Sequence, residues 1–151
     1  QIAMNIATTF CSTGIPSVFL HPSEAQHGDL GILQENDLML VISNSGKTRE
    51  IIELLSLASN LYPELKFIVI TGNAQSELAC KADVCLFTGA PEEVCPLGLT
   101  PTTSTTLMTV IGDLLVVNTM LATGFDNKQY ALRHHGGYLG QLSRKQSNDE
   151  K

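Results

Sequence analysis

The sequence predicts an α/β fold, a parallel β-sheet with helices covering both faces. Two observations predict it. Segments of strand length are apolar at every position instead of alternate ones, as in Leu38-Met39-Leu40-Val41-Ile42, the pattern of a strand buried on both sides. Between such segments the apolar residues recur at helical spacing, as in Ile51, Leu54, Leu55 and Ala58, the stripe of a helix lying on a sheet. Right-handed crossovers set the helices on alternate sides. Ligands in such folds bind beyond the carboxyl ends of the strands.

The elements follow in order. A helix is expected from Gln1 to about Thr13, from Ile2, Ile6 and Phe10 with Ala3 and Ala7 beside them, stopped by Gly14 and Pro16. Ser17–Leu20 reads as a strand, and 21–36 as a loop with room for a short helix. The strand Leu38–Ile42 follows, then a helix from Thr48 to about Asn60. Next come a strand Phe67–Ile70, a short helix Ser76–Lys81, a strand Val84–Phe87 and a long loop from Thr88 to Thr100. The longest helix starts at Pro101 or Thr102 and runs to Thr123, where Gly124 ends it. A last helical piece spans Asn127–His134, ahead of Gly136-Gly137. Residues 1–142 read as one domain, and the polar run 143–151 as a loose C-terminal tail.

Composition narrows the function classes. The 151 residues suit one domain with a sizeable core. The formal net charge of −6 disfavours nucleic acid as the main partner, since phosphate-backbone binding draws on clustered Lys and Arg. The apolar run from Leu107 to Ala122 contains Asp113 and Asn118, which argues against a membrane span. Cys11, Cys80, Cys85 and Cys95 form no Cys-x-x-Cys and no signal peptide is visible, so reduced thiols in a cytoplasmic protein are expected. Gln1 is no initiator, and the helical period is already running at Ile2. A fragment of a longer chain is therefore expected.

The stretch Ser43-Asn44-Ser45-Gly46-Lys47-Thr48 joins a strand to a helix. It resembles the end of a nucleotide-binding loop, but that loop needs a glycine where Val41 stands. One phosphate monoester fits better. Ser43, Ser45 and Thr48 offer hydroxyls, Gly46 permits close backbone approach, and the following helix points free N–H groups and its positive end at the loop. The plainer reading is that Ser45 or Thr48 only caps the helix. A second hydroxyl cluster, Thr102 to Thr106, opens the longest helix. It exceeds what capping requires and suits either a sugar pocket or tight packing. Glu50, Glu92 and Glu93 are the candidate acids and bases. His21, His27, His134 and His135 lack the spacing of a zinc site, and no metal or cofactor is expected.

Five segments together resemble the sugar isomerase (SIS) domain family, and within it the D-arabinose 5-phosphate isomerases of the 3-deoxy-D-manno-octulosonate (KDO) pathway. They are the stretch from Ala7 to Pro16, His21 to Gly31, Ser43 to Glu50 (the family's Ser-x-Ser-Gly-x-x-x-Glu), Glu93 to Thr105, and Arg133 to Gly140. The resemblance covers nearly the whole chain and implies a three-layer, doubly wound, flavodoxin-like parallel sheet of five strands. The first of these would lie before Gln1, together with a Gly-x-Gly-Lys loop and its active-site lysine. The paired CBS domains that follow many of these isomerases are missing here, so an SIS-only form is expected.

The resemblance further implies that Ser43, Ser45, Gly46 and Thr48 hold the substrate phosphate, with Thr103, Ser104 and His27 close by. It places Glu50, Glu93 and His134 in catalysis. The implied reaction interconverts D-ribulose 5-phosphate and D-arabinose 5-phosphate through an enediol, with Glu93 as the base. Burial is expected to lift that carboxyl to about 6–7. A homotetramer, a CMP-KDO-like nucleotide-sugar inhibitor and a place in lipopolysaccharide or capsule synthesis are implied too. The competing class is a non-catalytic SIS module that binds a sugar phosphate or sugar nucleotide for regulation.

Overall fold

The computed structural model describes residues 1–149. Strands β1 (Leu38–Ile42), β2 (Lys66–Thr71) and β3 (Val84–Phe87) form a parallel sheet in the order β1-β2-β3. Leu38 pairs with Lys66 and Ile42 with Ile70, while Ile68 pairs with Val84 and Thr71 with Phe87. The inner strand is the most buried, and its Val69 and Ile70 are fully buried.

The chain divides into two compact units, residues 20–111 and residues 1–19 with those from 112 onward. The first unit holds the sheet, α2 (Pro22–Ala25), a 3₁₀ turn (Asp29–Ile32), α3 (Arg49–Leu61) and α4 (Glu77–Lys81). Its core joins Met39 and Val41 of β1, Phe67 and Val69 of β2, Leu54, Leu55 and Ala58 of α3, and Leu78 of α4. The stripe that identified α3 in the sequence is thus the face it buries. Because the strands are parallel, β1 and β2 end on one edge. The loops leaving them, Ser43–Thr48 and Thr71–Ser76, start side by side, and the Ser43 N–H donates to the Ile70 carbonyl at 3.1 Å.

The second unit is helical. It comprises α1 (Ile2–Ser12), the later part of α5 (Thr103–Thr123), α6 (Asn127–Arg133) and α7 (Gly137–Asp149). Ile6 of α1 is 2% exposed. It lies against Gly112 of α5, where an added Cβ would fall onto the Ile6 side chain. Helix α5 is long and apolar enough to cross a membrane by length and composition alone. It buries Ser104, Met108 and Val116 and leaves Val110, Leu114, Val117 and Leu121 exposed.

Three expectations change. Ser17–Leu20 forms no strand, and the described sheet has three strands where the resemblance implied five. The Ser17 backbone is taken up by Cys11 instead. The thiol donates to the Ser17 carbonyl at 2.9 Å, and the Ser17 N–H donates back to the sulfur at 3.3 Å. From Ser143 the chain is helical, not loose, as far as Asp149. Ser143 and Ser147 are buried, and the Ser147 hydroxyl bonds back to the Ser143 carbonyl at 2.9 Å. Arg, Lys and Gln in this run are good helix formers, so polarity alone was a poor guide. Residues 150–151 lie outside the described residues.

Candidate active site

The loop after β1 is closed by its own hydroxyls. Ser43 Oγ lies 2.8 Å from Thr48 Oγ1, and the Gly46 N–H donates to Ser43 Oγ at 3.2 Å. The Lys47 N–H donates to Ser45 Oγ at 3.2 Å. Thr48 is the N-cap of α3, yet its side chain caps no amide. The plain capping role is therefore not the one Thr48 fills. Among the described residues the amides of Thr48, Arg49 and Glu50 donate to no acceptor, as the first turn of an uncapped helix requires. Ser43 is buried, while Ser45, Thr48 and Glu50 are exposed. The arrangement gives a ring of hydroxyls in front of open helix amides, which is chemistry for a tetrahedral dianion.

The neighbouring loop braces this one from behind. Thr71 Oγ1 and the Gly72 N–H both donate to the Asn44 carbonyl, at 3.2 and 3.0 Å. The Leu78 N–H of α4 donates to the Gly46 carbonyl at 3.3 Å. Gly46 sits at φ +64°, and a Cβ there would enter the Ser76 side chain. Ser76 is 1% exposed and caps α4 by accepting from the Ala79 N–H at 3.3 Å.

A second cluster gathers at the start of α5. Glu93 Oε2 accepts from the Thr102 N–H at 2.6 Å, from Thr102 Oγ1 at 2.7 Å and from the Ser104 N–H at 3.4 Å. Hydrogen bonds from Ser104 and Thr102 hold the carboxyl at about 2, against an ordinary 4.5. This corrects the expectation of a raised, base-like carboxyl. Glu93 is only half-buried, and donors to its anionic form outweigh desolvation. Two residues on, the Thr100 and Leu99 N–H groups donate to Cys95 Sγ at 3.1 and 3.2 Å. With Thr100 contributing most, they lower that thiol to about 7.

The remaining hydroxyls of this cluster divide. Thr105 and Thr106 bond back to the Thr102 carbonyl at 2.8 and 3.0 Å, so they belong to the helix. Ser104 is 1% exposed. Thr103 Oγ1 is buried without a partner among the described residues.

Glu50 is the second residue of α3, one turn before Glu53. Glu53 pairs with Arg49 at 2.7 Å and accepts from Gln26 Nε2 at 3.0 Å. That contact ties the loop bearing exposed His27 to α3. His134 ends α6 in the other compact unit. Its ring Nδ1 lies 3.0 Å from the Tyr130 carbonyl. The structure therefore assembles Ser43, Ser45, Gly46, Thr48 and Glu50 in one loop and helix start, and Glu93 with Thr102 and Ser104 in another. Among the described residues no group of three or more His, Cys, Asp or Glu is placed to hold a metal.

Three residues of these settings escaped sequence reasoning. Thr71 bonds to the Asn44 carbonyl far back along the chain, and Ser76 sits where a Cβ on Gly46 would fall; nothing local marks either. Tyr130 carried a usable signal, since it stands four residues before His134 on a helix, where side chains meet.

A family model described as SIS domain matches residues 1–118. The chain is 47% identical over 149 residues to arabinose 5-phosphate isomerase KdsD of Shigella flexneri, a match covering 99% of this chain and 45% of that protein. It thus spans less than half the length of this relative. Among solved structures, a proposed phosphosugar isomerase involved in capsule formation from Bacteroides fragilis NCTC 9343 is 78% identical with a TM-score of 0.90. The match covers 91% of this chain and 72% of that one. A protein of Escherichia coli CFT073 solved with arabinose 5-phosphate is 36% identical with a TM-score of 0.82, over 88% of this chain and 70% of that one.

Proposed function

This chain belongs to the SIS domain family, and from that premise we propose that it is the sugar-phosphate-binding part of an aldose–ketose isomerase. The substrates proposed are D-ribulose 5-phosphate and D-arabinose 5-phosphate. The observation that carries the reading is the loop after β1. Ser43, Ser45 and Thr48 present hydroxyls ahead of the unpaired Thr48, Arg49 and Glu50 amides. A phosphate held there by charge-assisted bonds anchors the far end of the sugar, and that remote binding energy fixes the reacting carbons. The likeness to arabinose 5-phosphate isomerases supports this choice of sugar.

In this scheme a base removes the proton between C1 and C2, an enediol forms, and the proton returns to the neighbouring carbon. Glu93, Glu50 and His134 are the groups proposed to move protons, with His134 opening the sugar ring or polarising the carbonyl. Thr103, Ser104 and His27 are proposed to line the sugar. The exposed Val110, Leu114, Val117 and Leu121 of α5 support assembly into a homotetramer. A cytoplasmic location, inhibition by a CMP-KDO-like nucleotide sugar, and a role in lipopolysaccharide or capsule synthesis belong to the same proposal.

The test is an assay of the full-length protein with ribulose 5-phosphate, following arabinose 5-phosphate. Turnover that falls at least about 100-fold in Ser45→Ala/Thr48→Val supports the reading, since mispositioning alone costs about that much. No turnover by the folded full-length protein sinks it.

A further inference from the structure

His134 is held on two sides. Its backbone N–H donates to the Tyr130 carbonyl at 3.1 Å, and its Nδ1 lies 3.0 Å from the same oxygen. A carbonyl oxygen only accepts, so Nδ1 carries a hydrogen in this contact. The imidazole also lies parallel to the Tyr130 ring, with centroids 3.8 Å apart and planes 7° from coincidence. Tyr130 is itself fixed edge-on to Phe125 at 6.3 Å, and the Arg133 guanidinium covers the Phe125 ring at 5.4 Å. On the backbone side, Arg144 Nη1 donates to the His134 carbonyl at 3.4 Å. Gly140 lets α7 approach that same carbonyl, since a Cβ there would fall onto its oxygen.

The other ring nitrogen, Nε2, has no hydrogen-bond partner among the described residues. His134 lines a cavity of about 520 Å³ together with Arg133, Met4, Ala7, Val18 and Phe19.

We propose that Tyr130 is the positioning residue of His134: its carbonyl and ring hold the imidazole as the Nδ1–H tautomer, leaving Nε2 to exchange a proton with the sugar. This rests on the reading of His134 as an active-site residue. The tautomer decides between the two roles left open for His134. A neutral ring protonated on Nδ1 accepts at Nε2 and has no hydrogen there with which to polarise a carbonyl. Its task is therefore the opening of a cyclic aldose phosphate. Nε2 takes the proton of the anomeric hydroxyl, and the C1–O4 bond breaks as C1=O1 forms. The imidazolium then returns the proton to O4. Protons and electron pairs balance with no further reactant.

The experiment has two arms on the full-length protein. The first reads the tautomer directly in ¹⁵N-histidine-labelled protein, by correlating ring nitrogens with ring carbon-bound protons at about pH 8, where an ordinary histidine is neutral. The His134 signals are assigned by their loss in His134→Gln. Protonated Nδ1 and unprotonated Nε2 are expected, and a proton on Nε2 overturns the proposal without touching the active-site reading. The second arm is kinetic. Tyr130→Phe keeps ring and carbonyl and is expected within about twofold of wild type. Tyr130→Leu loses the stack and is expected to lower kcat about tenfold or more, with KM little changed, as misplacement of a catalytic group does. Full kcat in Tyr130→Leu, with His134 still needed for turnover, overturns the positioning role. Wild-type turnover in His134→Gln instead overturns the active-site reading, while the tautomer signal still judges the contact itself.

Discussion

Replacing Gly46 by alanine tests whether the Ser43–Thr48 loop is held from behind. The residue has φ +64°, and its Cβ would enter the Ser76 side chain at both Oγ and Cβ, with Thr71 Oγ1 a further 3.1 Å away. The left-handed backbone costs an L-residue roughly 1–2 kcal/mol. Forcing a methyl into a filled site costs about 1–3 kcal/mol more, so about 2–5 kcal/mol of stability is expected to be lost. Urea unfolding reads this as a lower midpoint at unchanged slope. The steric part can be separated by combining Gly46→Ala with Ser76→Gly, which removes both clashing atoms. Ser76→Gly alone removes a cap that glycine replaces at a cost of a few tenths of a kcal/mol. The double variant should therefore recover about 1–3 kcal/mol relative to additivity, leaving the backbone term. If Gly46→Ala destabilises by less than about 0.5 kcal/mol, or if the pair is additive, the loop is not clamped against Ser76 and the bracing argument fails.

Three further outcomes follow from the Glu93 loop. Because the folded carboxyl is held at about 2, below its ordinary 4.5, its stabilising contribution is complete above pH 4.5 and is lost as the pH falls towards 2. Acid titrations of wild type and Glu93→Gln should therefore converge in that window and separate above it. Parallel curves throughout would contradict the assignment. Thr102→Val removes one hydroxyl donor and leaves the N–H, so the Glu93 carboxyl should titrate higher than in wild type by ¹³C NMR, while Thr102→Ser should leave it unchanged. Cys95, lowered to about 7 by the Thr100, Leu99 and Leu97 amides, should be the first cysteine alkylated by iodoacetamide near neutral pH. Site-resolved mass spectrometry that finds Cys80 or Cys85 labelled sooner would count against that ordering.

Elements whose pattern is local were legible in the sequence. Strands β1 and β3 fall where their apolar runs ended, and α3, α5 and α6 lie within about two residues of their expected limits. What failed was whatever depends on a partner. Ser17–Leu20 has strand-like residues, but a strand exists only as a pairing, and Cys11 holds the Ser17 backbone instead. The run after Ser143 looked too polar to order, yet two buried serines sit on one face of a helix. The site shows the same division. Hydroxyls and glycine around Ser45 mark a candidate phosphate loop because helix-start chemistry is local. The Thr71 brace on Asn44 and the Thr102 clamp on Glu93 link residues 27 and 9 positions apart, and no spacing rule reaches that far.

Glu93 is where the sequence argument and the geometry pull apart, and the geometry suggests how they meet. A carboxyl near 2 is almost wholly ionised at neutral pH, which a base needs, but it binds a proton weakly, which a base cannot afford. The bonds from the Thr102 amide and hydroxyl and from the Ser104 amide fall on Oε2, and the Ser104 side chain adds a further donor to the carboxyl. Together these donors set how strongly the carboxyl can hold a proton. The same amide and hydroxyl of Thr102 that depress the carboxyl also fix its direction at the start of α5. A group aimed in this way gains in geometry what it loses in basicity. Excluding water raises its proton affinity while the Thr102 bonds keep its direction. The hydrogen bonds that argue against Glu93 as a free-standing base therefore also fix its aim, and the base role proposed for it requires that substrate binding exclude water.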